Sequence, residues 1–193
     1  EQIKEVVLDF TRAALRAKEA GYDGVEIHSA HGYLLDQFYS PLTNLREDAY
    51  GKKNLEDRLR FQVEIISSIR KAVGQTYPIA LRLGACDYLE GGSTLDDAIG
   101  AGKILQKAGL DLLDISGGLK GYTHPENKEP GYFKDVSKAV KETLSIPIIL
   151  TGGVTKRTEA ESLLEEGAAD LVGVGRAILK DDLWAQKAME QGQ

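Results

Sequence analysis

The sequence predicts an α/β fold built from parallel strands, and three observations support this. Short apolar runs alternate with longer amphipathic stretches along the chain. Gly21, Gly109 and Gly167 each close an amphipathic stretch and precede an apolar run. No Pro/Ser-rich linker or low-complexity segment interrupts the pattern. Because parallel neighbours need a crossover connection, this alternation favours one parallel sheet, in a single domain over residues 1–193.

The elements are predicted in order along the chain. It opens with a helix, because apolar residues between Ile3 and Ala17 recur at three- and four-residue steps, and Gly21 suits the left-handed position after a helix end. Strands are predicted at 24–27, 79–83, 112–115, 146–150 and 171–174, and further helices around 59–73, 95–108, 136–144 and 160–166. Thr158 and Glu161 predict a capping box for the last of these helices.

The number of strands bears on the choice between the two common parallel architectures. Five strands would suit an open doubly wound sheet, whereas a closed barrel has eight strands and usually about 250 residues. The only methionine is Met189, so we expect Glu1 to lie inside a gene product or to follow a removed segment. Together these points predict an incomplete (β/α)8 TIM barrel with about five of its eight β/α units.

Composition argues against several classes of function. Hydrophobic residues make up 42% of the chain and charged residues 28%, as in soluble globular proteins. The net charge of −6 disfavours a nucleic-acid partner. The lone Cys86 excludes an internal disulfide framework, a structural zinc cluster and an iron–sulfur cluster held by this chain alone. No apolar run approaches the roughly 20 residues of a membrane helix, and no signal-peptide pattern opens the chain. We therefore expect a reduced, cytoplasmic protein with no membrane partner.

The densest group of reactive side chains follows the first predicted strand. His28 and His31 lie three residues apart and Tyr33 follows two residues later, where a barrel places its active site. Two imidazoles aimed at one oxygen can stabilise the charge that develops there, and a phenol is protonated at neutral pH and can deliver a proton. Structural histidines and a metal site are the alternatives, although no third metal ligand follows at a suitable spacing.

Arg82 lies inside an apolar predicted strand, where a charge is costly unless it is paired or meets an anionic ligand. A buried salt bridge with Glu26 or Asp114, at comparable strand positions, is the alternative to the ligand. Near the chain's end, two glycine clusters close consecutive strands and allow backbone N–H groups to approach a phosphate. They contain Gly152 and Gly153, and Gly175 followed by Arg176. Glycine-rich turns without a ligand would show the same pattern.

The long polar loop 119–133 carries His124 and follows a third glycine turn at Ser116. A loop of this length at the functional face often shapes a substrate pocket. His124 could contribute to that pocket, although a histidine in an exposed loop is more often inert. Cys86 is expected to pack as a small apolar residue, since nothing nearby would activate its thiol.

The motifs together resemble those of the Old Yellow Enzyme family. The run from His28 to Phe38, continued by 40–44, is similar to that family's fourth-strand signature. Further segments resemble the family in the same order along nearly the whole chain: 81–83, 116–118, 130–132, 151–153 and 175–176. The resemblance implies a (β/α)8 barrel that binds FMN, takes hydride from NAD(P)H and reduces a small-molecule electron acceptor such as an α,β-unsaturated carbonyl compound.

The resemblance also implies residue roles. His28 and His31 match the pair that binds the carbonyl or nitro oxygen of the substrate, and Tyr33 matches the donor of a proton to the α-carbon. Arg82 matches the arginine beside the flavin pyrimidine edge. The flavin phosphate site is matched by Gly152, Gly153, Gly175 and Arg176.

Two features depart from the family's pattern. Lys52 stands where the family usually has the second glycine after Asp-x-Tyr, in a stretch expected to be a surface loop. The family's first three strands have no counterpart, so the sheet is expected to have open edges and half a cofactor site.

Two other functions fit the residues. One is a flavin-free barrel isomerase or lyase that binds a phosphorylated substrate. The other is a fragment without activity of its own that pairs through the open edges, which also allows a homo-oligomer.

Overall fold

The computed structural model describes residues 1–190, and its five parallel strands form one sheet in the order in which they occur in the chain. The strands are β1 (Val25–Ser29), β2 (Ile79–Cys86), β3 (Leu112–Gly117), β4 (Ile148–Thr151) and β5 (Leu171–Gly173). The helices are α1 (Gln2–Glu19), α2 (Leu34–Tyr39), α3 (Leu55–Val73), α4 (Leu95–Lys107), α5 (Lys134–Lys141), α6 (Arg157–Glu165), α7 (Arg176–Lys180) and α8 (Trp184–Glu190). A doubly wound sheet reverses its strand order at a switch point, whereas consecutive units of a barrel follow each other as they do here.

All five predicted strands and all five predicted helices are present, with shifted ends. β2 runs on to Cys86 and β3 to Gly117, beyond their predicted ends, and β4 begins only at Ile148. The short helices α2, α7 and α8 were not predicted from the sequence. They contain 6, 5 and 7 residues, too few for a periodic apolar pattern to be recognised.

The start of α6 corrects one prediction. Thr158 lies inside the helix and does not cap it. The carboxylate of Glu159 instead accepts hydrogen bonds from the backbone N–H groups of Thr155, at 2.8 Å, and Lys156, at 3.0 Å. The predicted capping box of Thr158 and Glu161 was therefore wrong, because the helix begins at Arg157 and Glu159 reaches back to the N–H groups just before it.

The register of the sheet separates an apolar face from a polar one. Leu81 pairs with Leu113, and both are fully buried in the cluster formed with the helices. The next row pairs His28 with Arg82 and Arg82 with Asp114. Because successive side chains of a strand point to opposite faces, these three polar groups lie side by side on the face that the apolar cluster leaves free.

The outer strands of the sheet have one neighbour each. In the part of the chain that the structure describes, β1 pairs only with β2 and β5 only with β4. Both outer edges therefore present unpaired backbone groups. Over the same residues, no helix is both long enough and apolar enough to cross a membrane.

Candidate functional site

A cleft of about 810 Å³ opens where the strands end. Six of the eight residues predicted from the sequence line it, namely His31, Arg82, Gly152, Gly153, Gly175 and Arg176. The other two lie beside it. The ring centre of His28 is 5.1 Å from that of His31 and 5.3 Å from that of Tyr33. The structure thus brings the eight predicted residues to one end of the sheet.

The cleft is positively charged. Arg82, Arg176 and Lys180 lie in its wall, and no carboxylate of the described residues does. Trp184 adds an aromatic surface near the two glycine turns. A cleft with this lining attracts an anion that also carries a flat apolar group.

The turn after β1 presents His31 and Tyr33. His31 has φ 60° and Gly32 has φ 75°, both in the left-handed region. The N–H of Tyr33 donates to the carbonyl of Ala30 at 3.2 Å, which closes the turn just before α2 begins. Because a histidine in this conformation is unfavourable, the turn depends on contacts from outside it. Tyr33 is 65% exposed, so its phenol is open to a ligand.

The two histidines are held in their neutral form. Burial, together with repulsion from His28 when it is protonated and from Arg82, lowers the pKa of His31 to about 4. Burial and the charge of Arg82 also lower the pKa of His28, while Glu26 opposes them. The Nε2 of His31 lies 2.8 Å from the hydroxyl oxygen of Ser116. A neutral imidazole has one N–H donor and one acceptor nitrogen, so Ser116 engages one of the two.

Arg82 is both paired and open to the cleft. Its Nε donates to Asp114 Oδ2 at 2.6 Å, which is one of the salt bridges that the sequence allowed. Burial outweighs the nearby guanidinium and raises the pKa of Asp114 to about 7, with Glu26 adding to the rise. The Arg82 side chain is 31% exposed and lines the cleft. The salt bridge and the ligand role are therefore compatible in this geometry.

The turn that ends β4 requires glycine. Gly152 has φ 126° and Gly153 has φ 72°. A Cβ atom on Gly153 would lie 2.4 Å from the ring of Tyr132, and one on Gly152 would lie 3.0 Å from it. The backbone N–H groups of Gly153 and Gly175 donate to no other residue that the structure describes. Free N–H groups beside a positive charge are what a phosphate site needs.

The loop 119–133 places two tyrosines on Arg176. The Nη2 of Arg176 donates to the hydroxyl of Tyr132 at 2.7 Å, and the guanidinium carbon of Arg176 lies 5.3 Å from the ring centre of Tyr122. Both tyrosines line the cleft. No role was predicted for either tyrosine, although Tyr132 lies in segment 130–132, which resembles the Old Yellow Enzyme family, and both lie in a long polar loop at the functional face.

His124 and Cys86 lie outside the cleft. The Nδ1 of His124 accepts hydrogen bonds from the N–H groups of Glu126, at 3.1 Å, and Asn127, at 2.8 Å, and its ring packs 4.2 Å from that of Tyr88. His124 thus holds its own loop together. Burial raises the pKa of the Cys86 thiol to about 12, which agrees with its expected apolar packing. Within residues 1–190 no group of three His, Cys, Asp or Glu side chains is arranged to hold a metal ion.

Comparison with known proteins agrees with this geometry. The model of the NADH:flavin oxidoreductase / NADH oxidase family matches residues 1–193. The chain belongs to this family. Its membership confirms the resemblance to the Old Yellow Enzymes and supports FMN as cofactor, with NAD(P)H as reductant.

Relatives within the NADH:flavin oxidoreductase family are longer proteins. The chain is 41% identical to the NADH oxidase of Thermoanaerobacter brockii over 196 residues, which covers 100% of the chain and 30% of that protein. It is 40% identical to the NADPH dehydrogenase of Bacillus subtilis (strain 168), covering 99% of the chain and 55% of that protein. The chain thus spans between about a third and about half of the length of these relatives.

Solved structures confirm the predicted fold class. A 2-naphthoyl-CoA reductase in complex with 2-naphthoyl-CoA superposes with a TM-score of 0.90 at 32% identity, covering 98% of the chain and 29% of that structure. Histamine dehydrogenase from Rhizobium sp. 4-9 superposes with a TM-score of 0.84 at 29% identity, covering 98% of the chain and 28% of that structure. The five β/α units form part of a TIM barrel.

Proposed function

We propose that the protein is an FMN-dependent oxidoreductase that takes hydride from NAD(P)H and reduces an activated alkene, such as an α,β-unsaturated carbonyl compound. The observation that carries this proposal is the placement of His28, His31 and an exposed Tyr33 beside the positively charged, glycine-walled cleft. We further infer that residues 1–193 are a single domain, the C-terminal part of the flavin-binding barrel.

The residues present fit FMN. Its phosphate is a dianion, and Arg176 with the free N–H groups of Gly153 and Gly175 offers it charge-assisted hydrogen bonds. Arg82, about a third exposed in the wall of the same cleft, would favour a negative charge on the flavin ring. When bound, FMN supplies the hydride for the β-carbon of the alkene.

The histidines would bind the carbonyl oxygen of the acceptor. Their rings lie 5.1 Å apart and both are neutral at pH 7, so each offers one N–H donor without a positive charge. Two donors aimed at one oxygen polarise the conjugated double bond and stabilise the charge that develops on that oxygen. The same oxygen therefore orients the alkene beside Tyr33.

Tyr33 would complete the reaction with a proton. Hydride adds to the β-carbon and a proton must reach the α-carbon, so the alkene gains two electrons and two hydrogen atoms in all. Tyr33 is 65% exposed, and its ring centre lies 5.3 Å from that of His28. It is thus a proton donor next to the groups that hold the acceptor.

The experiment is a Tyr33→Phe substitution in the full gene product, with the two half-reactions followed separately by stopped-flow absorbance. Alkene reduction should slow by roughly 100-fold or more, the usual contribution of a general acid, while flavin reduction by NAD(P)H stays within about 2-fold. Tyr22→Phe is the matched control, because Tyr22 is 68% exposed and precedes β1, away from the cleft. Equal slowing of both half-reactions in Tyr33→Phe would contradict the proposal.

A further inference from the structure

We propose that Asp36 is a positioning residue, which holds the turn that carries His31 and Tyr33 in its working shape; this inference rests on the function proposed above. Asp36 lies in α2, three residues after Tyr33, and is 0% exposed. Its Oδ2 accepts a hydrogen bond from the backbone N–H of Gly32 at 2.7 Å. The bond joins a buried side chain to the middle of the turn.

The turn needs such a partner. His31 has φ 60°, a conformation that is unfavourable for a residue with a side chain, so surrounding contacts must impose it. The peptide groups of Gly32 are held from two sides, since the side-chain amide of Gln37 also donates to the Gly32 carbonyl at 2.6 Å. Gln37 is exposed to solvent, whereas Asp36 is not. The bond of Asp36 is therefore the more rigid of the two.

Asp36 is itself fixed from behind. A Cβ atom on Gly84 in β2 would lie only 2.6 Å from Asp36 Oδ1, so this oxygen rests directly on the backbone of the strand. The glycine leaves just enough room for the carboxyl group. Asp36 therefore fixes the position of Gly32, and with it the turn, relative to β2, the strand that also carries Arg82.

A second buried carboxylate fixes the other end of α2. Asp87 is 0% exposed and accepts hydrogen bonds from the hydroxyl of Ser40 at 2.6 Å, the N–H of Ser93 at 2.8 Å and the N–H of Leu119 at 2.9 Å. These donors lie after α2, after β2 and after β3. Since Asp87 is fully partnered and connects three segments, α2 is a rigid base for Asp36.

Asp36 is a costly choice for stability alone. Its Oδ1 is buried and has no hydrogen-bond partner among the described residues. Burial, with the charge of Asp87 adding to it, raises the pKa of Asp36 to about 7, although the Gly32 N–H opposes the rise. An apolar side chain would avoid both costs. Unlike an apolar side chain, the carboxyl group of Asp36 provides a hydrogen-bond acceptor for the N–H of Gly32.

The test compares three variants in the full gene product. Asp36→Leu removes the acceptor and fills the space, and Asp36→Ala removes the acceptor without added bulk should the leucine variant fail to fold. Asp36→Asn keeps an oxygen acceptor. Leu35→Ala is the matched control. Leu35 is the neighbouring residue of α2 and is 1% exposed, but its apolar side chain cannot form a hydrogen bond with the turn. The measurements are amide hydrogen exchange at Gly32 and the rates of the two half-reactions.

Loss of the hydrogen-bond acceptor for Gly32 should speed amide exchange at Gly32 by about 10-fold or more. It should also slow alkene reduction by roughly 10- to 100-fold, because small misplacements of reacting groups are costly. Flavin reduction should change by less than about 2-fold. Asp36→Asn should restore both quantities. Leu35→Ala should lower stability without selective loss of alkene reduction.

The proposal is overturned if exchange at Gly32 is unchanged without the carboxyl group, if Asp36→Asn behaves like Asp36→Leu, or if Leu35→Ala shows the same selective loss. Hydrogen exchange is measured without an alkene substrate. It therefore decides the role of Asp36 in the turn even if Tyr33→Phe disproves the proposed reaction.

Discussion

His31 illustrates how single residues acquire their properties in this site. One ring nitrogen lies 2.8 Å from Ser116, and burial together with the charges of His28 and Arg82 disfavours protonation of the ring. The spacing of the histidines in the sequence indicates that they share one strand end. It says nothing about their charge, because the burial that chiefly lowers the pKa of both histidines arises only in the folded chain, and Arg82, which adds to the effect, is brought beside His28 by the sheet.

The charge state of His31 leads to a prediction. Its imidazole C2 proton should titrate near pH 4 in NMR spectra, because the folded protein holds its pKa at about 4. The ring therefore stays neutral from pH 5 to pH 8, and alkene reduction should show no step from His31 in that range. Arg82→Gln should shift the titration to higher pH, because it removes a positive charge that opposes protonation. Titration of His31 between pH 6 and 7 would contradict this account.

At the scale of secondary-structure elements, the way in which β4 ends forms part of the cleft. The strand runs to Thr151, and two glycines with positive φ then reverse the chain beneath Tyr132. The Gly152 carbonyl accepts a hydrogen bond from the N–H of Gly131 at 2.6 Å, which ties the turn to the loop 119–133. The strand end, the turn and the loop therefore form one unit.

Substitution of the second glycine of this turn should weaken FMN binding. In Gly153→Ala the new Cβ would lie 2.4 Å from Tyr132, so the ring or the turn must move. We expect the Kd for FMN to rise by roughly 10-fold or more, which corresponds to at least about 1.4 kcal/mol. The measurement is an absorbance titration of the flavin.

Gly167→Ala is the control for that substitution. Gly167 has φ 69°, close to the 72° of Gly153, and a Cβ atom added to it would have no neighbouring atom within 4 Å. Both variants carry the same backbone strain, and only one meets a neighbour in the cleft. If the two variants raise the Kd equally, the effect comes from strain and the turn is not a phosphate site.

At the scale of the whole molecule, the sheet has two open edges. Within the described residues, β1 and β5 each have one strand partner, and Leu171 on β5 is 49% exposed. Unpaired backbone groups beside exposed apolar side chains favour association with another chain.

We therefore predict that residues 1–193, prepared alone, associate in solution. Light scattering should give a mass above 21.0 kDa, and Leu171→Lys should lower it, because a charge on an edge strand opposes pairing. A homogeneous species at 21.0 kDa would show that the edges do not drive association.

The sequence by itself determined the α/β class with parallel strands, the number of the strands and the place of the functional groups at their ends. These features depend on local patterns: apolar periodicity, glycines after helices, and reactive residues directly after apolar runs. Each is encoded within about ten neighbouring residues, so it survives without knowledge of the rest of the chain. The family motif beginning at His28 rests on the same kind of local information.

Only the tertiary structure decided which distant groups meet. The contact of Tyr132 with Arg176 and the bond between His31 and Ser116 join residues that are 44 and 85 positions apart in the sequence. For Arg82 the sequence allowed either Glu26 or Asp114 as partner, and the structure selects Asp114. Asp36 was not recognised because its partner is a backbone N–H and its burial depends on β2 and α2 packing together. Strand register and packing set such contacts and the pKa values they shift, and no local pattern in the chain encodes them.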